Sequence, residues 1–291
     1  MKDYLLKATA ADGSIRAYIS KTTGLVKEAC EIHNTSLSAT AALGRLLTAT
    51  SLMGSMIKNP DELITVTIRG DGPIKGVVAT SDYTANVKGY LFNSSGDVPL
   101  RSDGKIDVSS AIGKGTLTII KDIGLKEPYV GQVDLVSGEI AEDITYYYAQ
   151  SEQTPSAVSL GVLVDRDYSV KEAGGFIIQV LPNADMDVIN ILENNIKGLP
   201  PITSLLDDDK TPEEILDIIL GDLSIKINEK MEIQYYCNCN KRRVEKALVS
   251  LGKNELTSII EEDKKATLHC HFCGKDYDFS ESELKKLLVK I

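Results

Sequence analysis

Four of the chain's five cysteines fall in its last fifth, as Cys237-Asn238-Cys239 and, after 30 intervening positions, Cys270-His271-Phe272-Cys273-Gly274. In a reducing cytosol such a cluster reads as a metal site or a redox device rather than a disulfide framework. The second pair has the form of a zinc knuckle: two thiolates three apart, with a glycine behind them that lets the backbone turn both sulfurs toward one ion. The first pair, one residue apart, is less usual. Together they supply four soft ligands, which suit a tetrahedral zinc site.

Four protein thiolates fill that coordination sphere. No position remains for a metal-bound water, so hydrolytic zinc chemistry, and with it an enzyme, is not expected. The plain alternative is a zinc ribbon that only holds its domain together. Two features point further. Each pair is close enough to form its own disulfide, and C-x-x-C is a spacing shared with redox pairs. Zinc also keeps the sulfurs as thiolates, the form that oxidants attack. His269 and His271 flank Cys270 but are not needed as ligands. Cys30 reads as a small buried residue, and His33 carries no usable pattern.

The rest of the chain divides by composition. The segment to about residue 184 reads as α+β. Strands are expected at Tyr4 to Ala10 and Ile15 to Ile19, joined by an Asp12-Gly13 turn. A helix rich in small residues is expected from Ser36 to Met56, ending near Gly54. Short strands follow at Leu63 to Ile68, Ile74 to Ala79, Val87 to Phe92, Gly115 to Ile120 and Tyr129 to Val133. Then come a helix from Ile140 to Ser151 and strands at Ser156 to Val164 and Gly175 to Pro182. Their regular spacing favours antiparallel sheets over βαβ units. The run Arg69-Gly70-Asp71-Gly72-Pro73 lacks the Lys-Ser/Thr of a phosphate loop and reads as a turn.

Residues 185–231 form an acidic connector. Between Asp185 and Lys230 lie eleven acidic and four basic residues, a charge of −7 within a chain of net charge −10. Met186, Ile189, Leu192 and Ile196 recur at helical spacing. Thr211-Pro212-Glu213-Glu214 is a capping box with proline at the first helical position. These amphipathic helices either dock on the larger domain or form a marginal, switchable region weakened by self-repulsion. Residues 232–291 form a small third segment. Helices are expected at Arg243 to Leu251 and from Asn254 to about Glu262, a hairpin at Thr267 to Tyr277, and a helix opened by the capping box Ser280-Glu281-Ser282-Glu283. A segment of about 60 residues rarely holds itself together without a staple.

The net charge, and an aromatic content of 5% without tryptophan, argue against nucleic-acid and anionic-membrane partners. The basic run Lys241-Arg242-Arg243 sits in a segment of eleven basic and ten acidic residues and reads as a solvated face. No signal peptide or transmembrane run is evident, so a cytoplasmic location is expected.

With these features together, the chain resembles the heat-shock protein 33 family of redox-regulated 33-kDa chaperonins. The cysteine array is that family's motif. Ile68-Arg69-Gly70-Asp71-Gly72-Pro73-Ile74, Ser151-Glu152-Gln153 and the run from Gly174 to Pro182 look like family segments. The resemblance implies an ATP-independent holdase that is inactive or weakly active while reduced, with one zinc held by Cys237, Cys239, Cys270 and Cys273. It implies that oxidation links Cys237 with Cys239 and Cys270 with Cys273, and that zinc then leaves. The C-terminal segment and connector unfold, and a homodimer binds unfolding client proteins. Two other classes stay open on the residues alone: a zinc-ribbon regulator that binds nucleic acid, and a dithiol-disulfide oxidoreductase.

Overall fold

The computed structural model describes residues 2–289 except 125, 166 and 183, and the chain separates into two compact units, Met1–Tyr236 and Cys237–Ile291. In the first unit, β1 (Tyr4–Ala10) and β2 (Ile15–Lys21) form a hairpin with Ala10 opposite Ile15. Its turn places Asp12 at φ +52° and Gly13 at φ +88°, which is why Asp-Gly suits it. With β8 (Ser156–Val164), β9 (Val170–Val180) and β10 (Lys226–Glu232) the hairpin builds a five-stranded sheet of order β10-β1-β2-β9-β8. A second five-stranded sheet has the order β5-β4-β3-β6-β7. It comprises β3 (Leu63–Gly70), β4 (Gly76–Asp82), β5 (Val87–Leu91), β6 (Gly115–Asp122) and β7 (Tyr129–Asp134). Every pairing in both sheets is antiparallel, as the turn spacing predicts.

Helix α2 (Leu37–Gly54) packs on strands of both sheets, so nearly all of its residues are buried. Small side chains make this possible. A Cβ at Gly44 would stand 2.6 Å from Val162 Cγ2 and 2.7 Å from Val26 Cγ1. Ser36 caps the helix by accepting from Ala39 N. Around α2 lies one large core, which includes Leu43, Leu47, Ile64, Val66, Ile119 and Ile177. Helix α4 (Ala141–Ser151) adds Ile144, Tyr147 and Tyr148 to it.

The first sheet is covered on its other face too. Leu5 and Ile177 point into the α2 core, while their neighbours Leu6 and Ile178 point into a second one. That second core is closed by the acidic connector. Helices α5 (Met186–Lys197), α6 (Ile202–Asp207) and α7 (Pro212–Leu220) bring Leu192, Leu205, Leu206, Ile215, Leu216 and Ile219 onto β1, β2 and β9. The Thr211 capping box is formed, with Thr211 N donating to Glu214 Oε2 and Glu214 N to Thr211 Oγ1. Of the two readings of the connector, docking on the larger domain is the arrangement present. The connector is not wholly helical, since its last residues form edge strand β10 beside β1.

Three helices go beyond the sequence reading, α6 in the connector and two in the larger domain. Helix α1 (Thr23–His33) is capped by Asp3, whose carboxylate accepts from Gly24 N and Leu25 N. Helix α3 (Val108–Ile112) receives the Arg69–Pro73 turn, where Asp71 accepts from Lys114 N. The second unit contains α8 (Lys241–Ser250), α9 (Lys253–Glu262), the hairpin β11 (Lys265–His269) and β12 (Asp276–Ser280), and α10 (Glu281–Leu288). Its core is small: Leu248, Leu256, Ile260, Phe279, Leu284 and Leu287. No helix among the described residues is long and apolar enough to cross a membrane.

Candidate metal centre

Both cysteine pairs belong to the second unit, and local backbone geometry aims them at one point. Cys270 to Cys273 form the turn of the β11–β12 hairpin. Cys270 N donates to Lys275 O at 2.9 Å, and Gly274 N donates back to Cys270 O at 2.9 Å. Gly274 takes φ +68°, the left-handed conformation that the knuckle requires. Cys237 and Cys239 lie in the extended segment before α8, whose N-terminus is capped by Asn240 accepting from Arg243 N at 3.0 Å. The unit's parts are tied by Lys241, which donates to Glu283 Oε1 at 2.7 Å and lies 4.9 Å from the Phe279 ring centroid.

The four sulfurs all lie within 4.8 Å of one another, and this is the only such cluster of potential ligands among the described residues. Cys237 Sγ is 3.8 Å from Cys270 Sγ, and Cys239 Sγ is 3.2 Å from Cys273 Sγ. A tetrahedron with zinc–sulfur bonds of about 2.3 Å has sulfur–sulfur edges of about 3.8 Å. The donor set therefore fits a zinc-sized soft cation in both chemistry and spacing.

Without a metal the thiols titrate apart. Burial pushes Cys237 up to about 12 and also raises Cys273. For Cys239 burial pulls the same way, but hydrogen bonds from Tyr277 and the other thiols outweigh it and hold the thiol down to about 7. The Tyr277 hydroxyl lies 3.0 Å from Cys239 Sγ. A bound cation favours the thiolate form of all four. Tyr277 is a neighbour that the sequence reading missed. Only the pairing of Leu268 with Tyr277 across the hairpin brings it to the cluster.

The remaining candidates fall elsewhere in their own units. His269 Nδ1 is 2.7 Å from Asp276 Oδ1, and neither His269 nor His271 joins the cluster. His33 Nε2 lies 2.9 Å from Gly89 O and 3.3 Å from the Tyr235 hydroxyl, a structural tie between α1 and β5. Cys30 is half-buried on α1 against the α2 core, and burial raises its thiol pKa.

Comparison with known proteins agrees with the fold. The family model described as "Hsp33 protein" matches residues 3–280. The chain is 51% identical over 291 residues to the 33 kDa chaperonin of Acetivibrio thermocellus, covering 100% of this chain and 98% of that protein. It is 51% identical over 292 residues to the 33 kDa chaperonin of Clostridioides difficile, covering 100% of both. The crystal structure of the 33 kDa chaperonin (heat shock protein 33 homolog) from Thermotoga maritima superposes with a TM-score of 0.91 at 40% identity, covering 100% of this chain and 99% of that one. Full-length identity, a shared fold and a thiol tetrad at the C-terminal end lead to one conclusion: the chain belongs to the Hsp33 family.

Proposed function

We propose that the chain is an ATP-independent holdase, active when oxidised, whose switch is the thiol tetrad. The observation that carries this reading is the convergence of Cys237, Cys239, Cys270 and Cys273 within a unit that has only a small apolar core. The naming of its relatives as 33 kDa chaperonins supports the chaperone part. The four thiolates hold one zinc ion in the reduced state. The metal, when bound, cross-links the segment before α8 to the β11–β12 hairpin.

Hydrogen peroxide oxidises Cys237 with Cys239 and Cys270 with Cys273. In each pair two thiolates give up two electrons as one S–S bond forms, and one peroxide takes up those electrons with two protons from solvent to become two waters. The thiolates that held the metal are then consumed, and zinc is lost. In the proposed scheme, the second compact unit, from Cys237 onward, unfolds first, and the connector, 185–231, follows on mild heating. Residues 1–184 stay folded. The active form is a cytoplasmic homodimer whose partners are unfolding proteins, not nucleic acid or membranes.

Light scattering from a heat-denatured client, without nucleotide, tests the reading. Peroxide-treated protein suppresses aggregation and the reduced zinc-loaded protein does not. Equal protection by both forms overturns redox regulation.

A further inference from the structure

A cavity of about 400 Å³ opens in the first unit, where the end of α2 meets β2, β3, β9 and α4. Its volume lies in the range of small-molecule sites. Two segments that carry the family resemblance meet there, through Glu152 on one side and Gln179 and Leu181 on the other.

The walls are of two kinds. Met53, Met56, Ile57, Ile64, Ile123 and Leu181 make the apolar part. The polar part is biased toward donors. Gln179 and Arg16 face each other across the β2–β9 pair, and Gln179 is 8% exposed. Tyr148 is 3% exposed, and its hydroxyl donates only to the Met56 thioether at 3.4 Å, a weak acceptor. The Arg16 side chain has no hydrogen-bond or ion-pair partner among the described residues. The two carboxylates on the walls are already engaged. Glu152 accepts from Lys121 and from the Tyr147 hydroxyl, and Glu62 accepts from Asn59 and the backbone of Lys58. What remains unanswered is a guanidinium and a buried hydroxyl beside an aliphatic surface.

We propose that this cavity binds an aliphatic monocarboxylic acid, its carboxylate at Arg16 and Tyr148 and its chain along Met53, Met56 and Ile64. Arginine presents paired donors to a carboxylate, and the tyrosine hydroxyl supplies a third. The aliphatic chain replaces solvent against the methionines, which adapt to chains of different length. Since every lining residue precedes the thiol tetrad in sequence and belongs to the other unit, the site works whatever the redox state.

Calorimetric titration of the full-length reduced protein with straight-chain acids from butanoate to decanoate tests this, each kept below its micelle concentration. Binding is expected to be saturable and to tighten by about fourfold per methylene until the cavity is filled. The matching alcohols should bind at least about tenfold more weakly, as a charged hydrogen bond is lost. Arg16→Gln, at an exposed position, should weaken acid binding by at least about tenfold and so remove that preference. Absence of saturable decanoate binding overturns the proposal. So does an Arg16→Gln variant that binds the acid as tightly as the parent.

Discussion

The Tyr4 hydroxyl donates to Glu213 Oε2 at 2.5 Å, joining the first strand of the chain to the first turn of α7 across 209 residues. Lys230 on β10 completes the node. Its ammonium donates to Glu213 Oε1 at 2.8 Å and lies 3.9 Å from the Tyr4 ring centroid. The acidic connector is thus fastened at α7 in two ways, by an apolar face on the sheet and by a charged clasp at the helix's first turn.

Tyr4→Phe keeps the ring and removes the donor. A hydrogen bond to a charged partner contributes about 1.5–3 kcal/mol, and the lower end applies because Glu213 is partly exposed. Amide hydrogen exchange over Pro212–Leu220 in the reduced protein should speed up by about tenfold, while exchange in α2 stays unchanged. Unaltered exchange in α7 would show that the clasp does not hold it.

The clasp also makes connector docking pH-dependent. Burial works upward on the Glu213 carboxyl, but hydrogen bonds from Lys230 and Tyr4 outweigh it and hold the group below its ordinary 4.5. The folded pKa lies below the unfolded one, so the contribution is complete above 4.5 and is lost as pH falls below that value. The exchange difference between the parent and Glu213→Gln should therefore be largest near neutrality and shrink on acidification. A difference independent of pH contradicts the assignment.

Much of this layout is legible in the sequence because its signals are local. The Asp12-Gly13 turn, the Thr211 and Ser280 capping boxes and the small-residue pattern of α2 each depend on neighbours within a few positions. The four metal-site candidates are legible because few roles need two close cysteine pairs. What stays hidden is set by distant partners. The cap of α1 is Asp3, 21 and 22 residues before the amides it accepts from, so Thr23–His33 has no local start signal. Strand β10 is a mostly exposed polar edge, so Lys226–Glu232 lacks the alternation that marks a half-buried strand. Tyr277 reaches Cys239 only through hairpin register. The composition of the connector suggests instability, yet its Ile and Leu positions are those that close the second core.

Metal removal should unfold the second unit alone. Structural zinc contributes about 10–16 kcal/mol of apparent binding energy at neutral pH. A core of this size supplies about 3–5 kcal/mol. The two disulfides close loops of three and four residues and restore about 3–4 kcal/mol together. Metal analysis should give one zinc per reduced chain, and Cys270→Ser should bind it far more weakly. Full zinc retention in that variant would mean that the ligand set is different.

Protease cleavage after oxidation should follow the two cores in order. Loss of the tetrad removes no residue of the core that α5–α7 share with β1, β2 and β9. First cuts are therefore expected within 237–289. Cuts within 185–232 should follow on mild heating, leaving a resistant fragment that ends near Pro182. Simultaneous loss of both regions at low temperature would show that the connector depends directly on the metal centre.

The most direct test of the switch follows zinc release and client protection in the same sample during peroxide treatment, using a chromogenic chelator and light scattering. The account predicts that no protection precedes zinc release, that protection develops as zinc is lost, and that reductant with added zinc reverses both. Full protection while the tetrad still holds its zinc would contradict it.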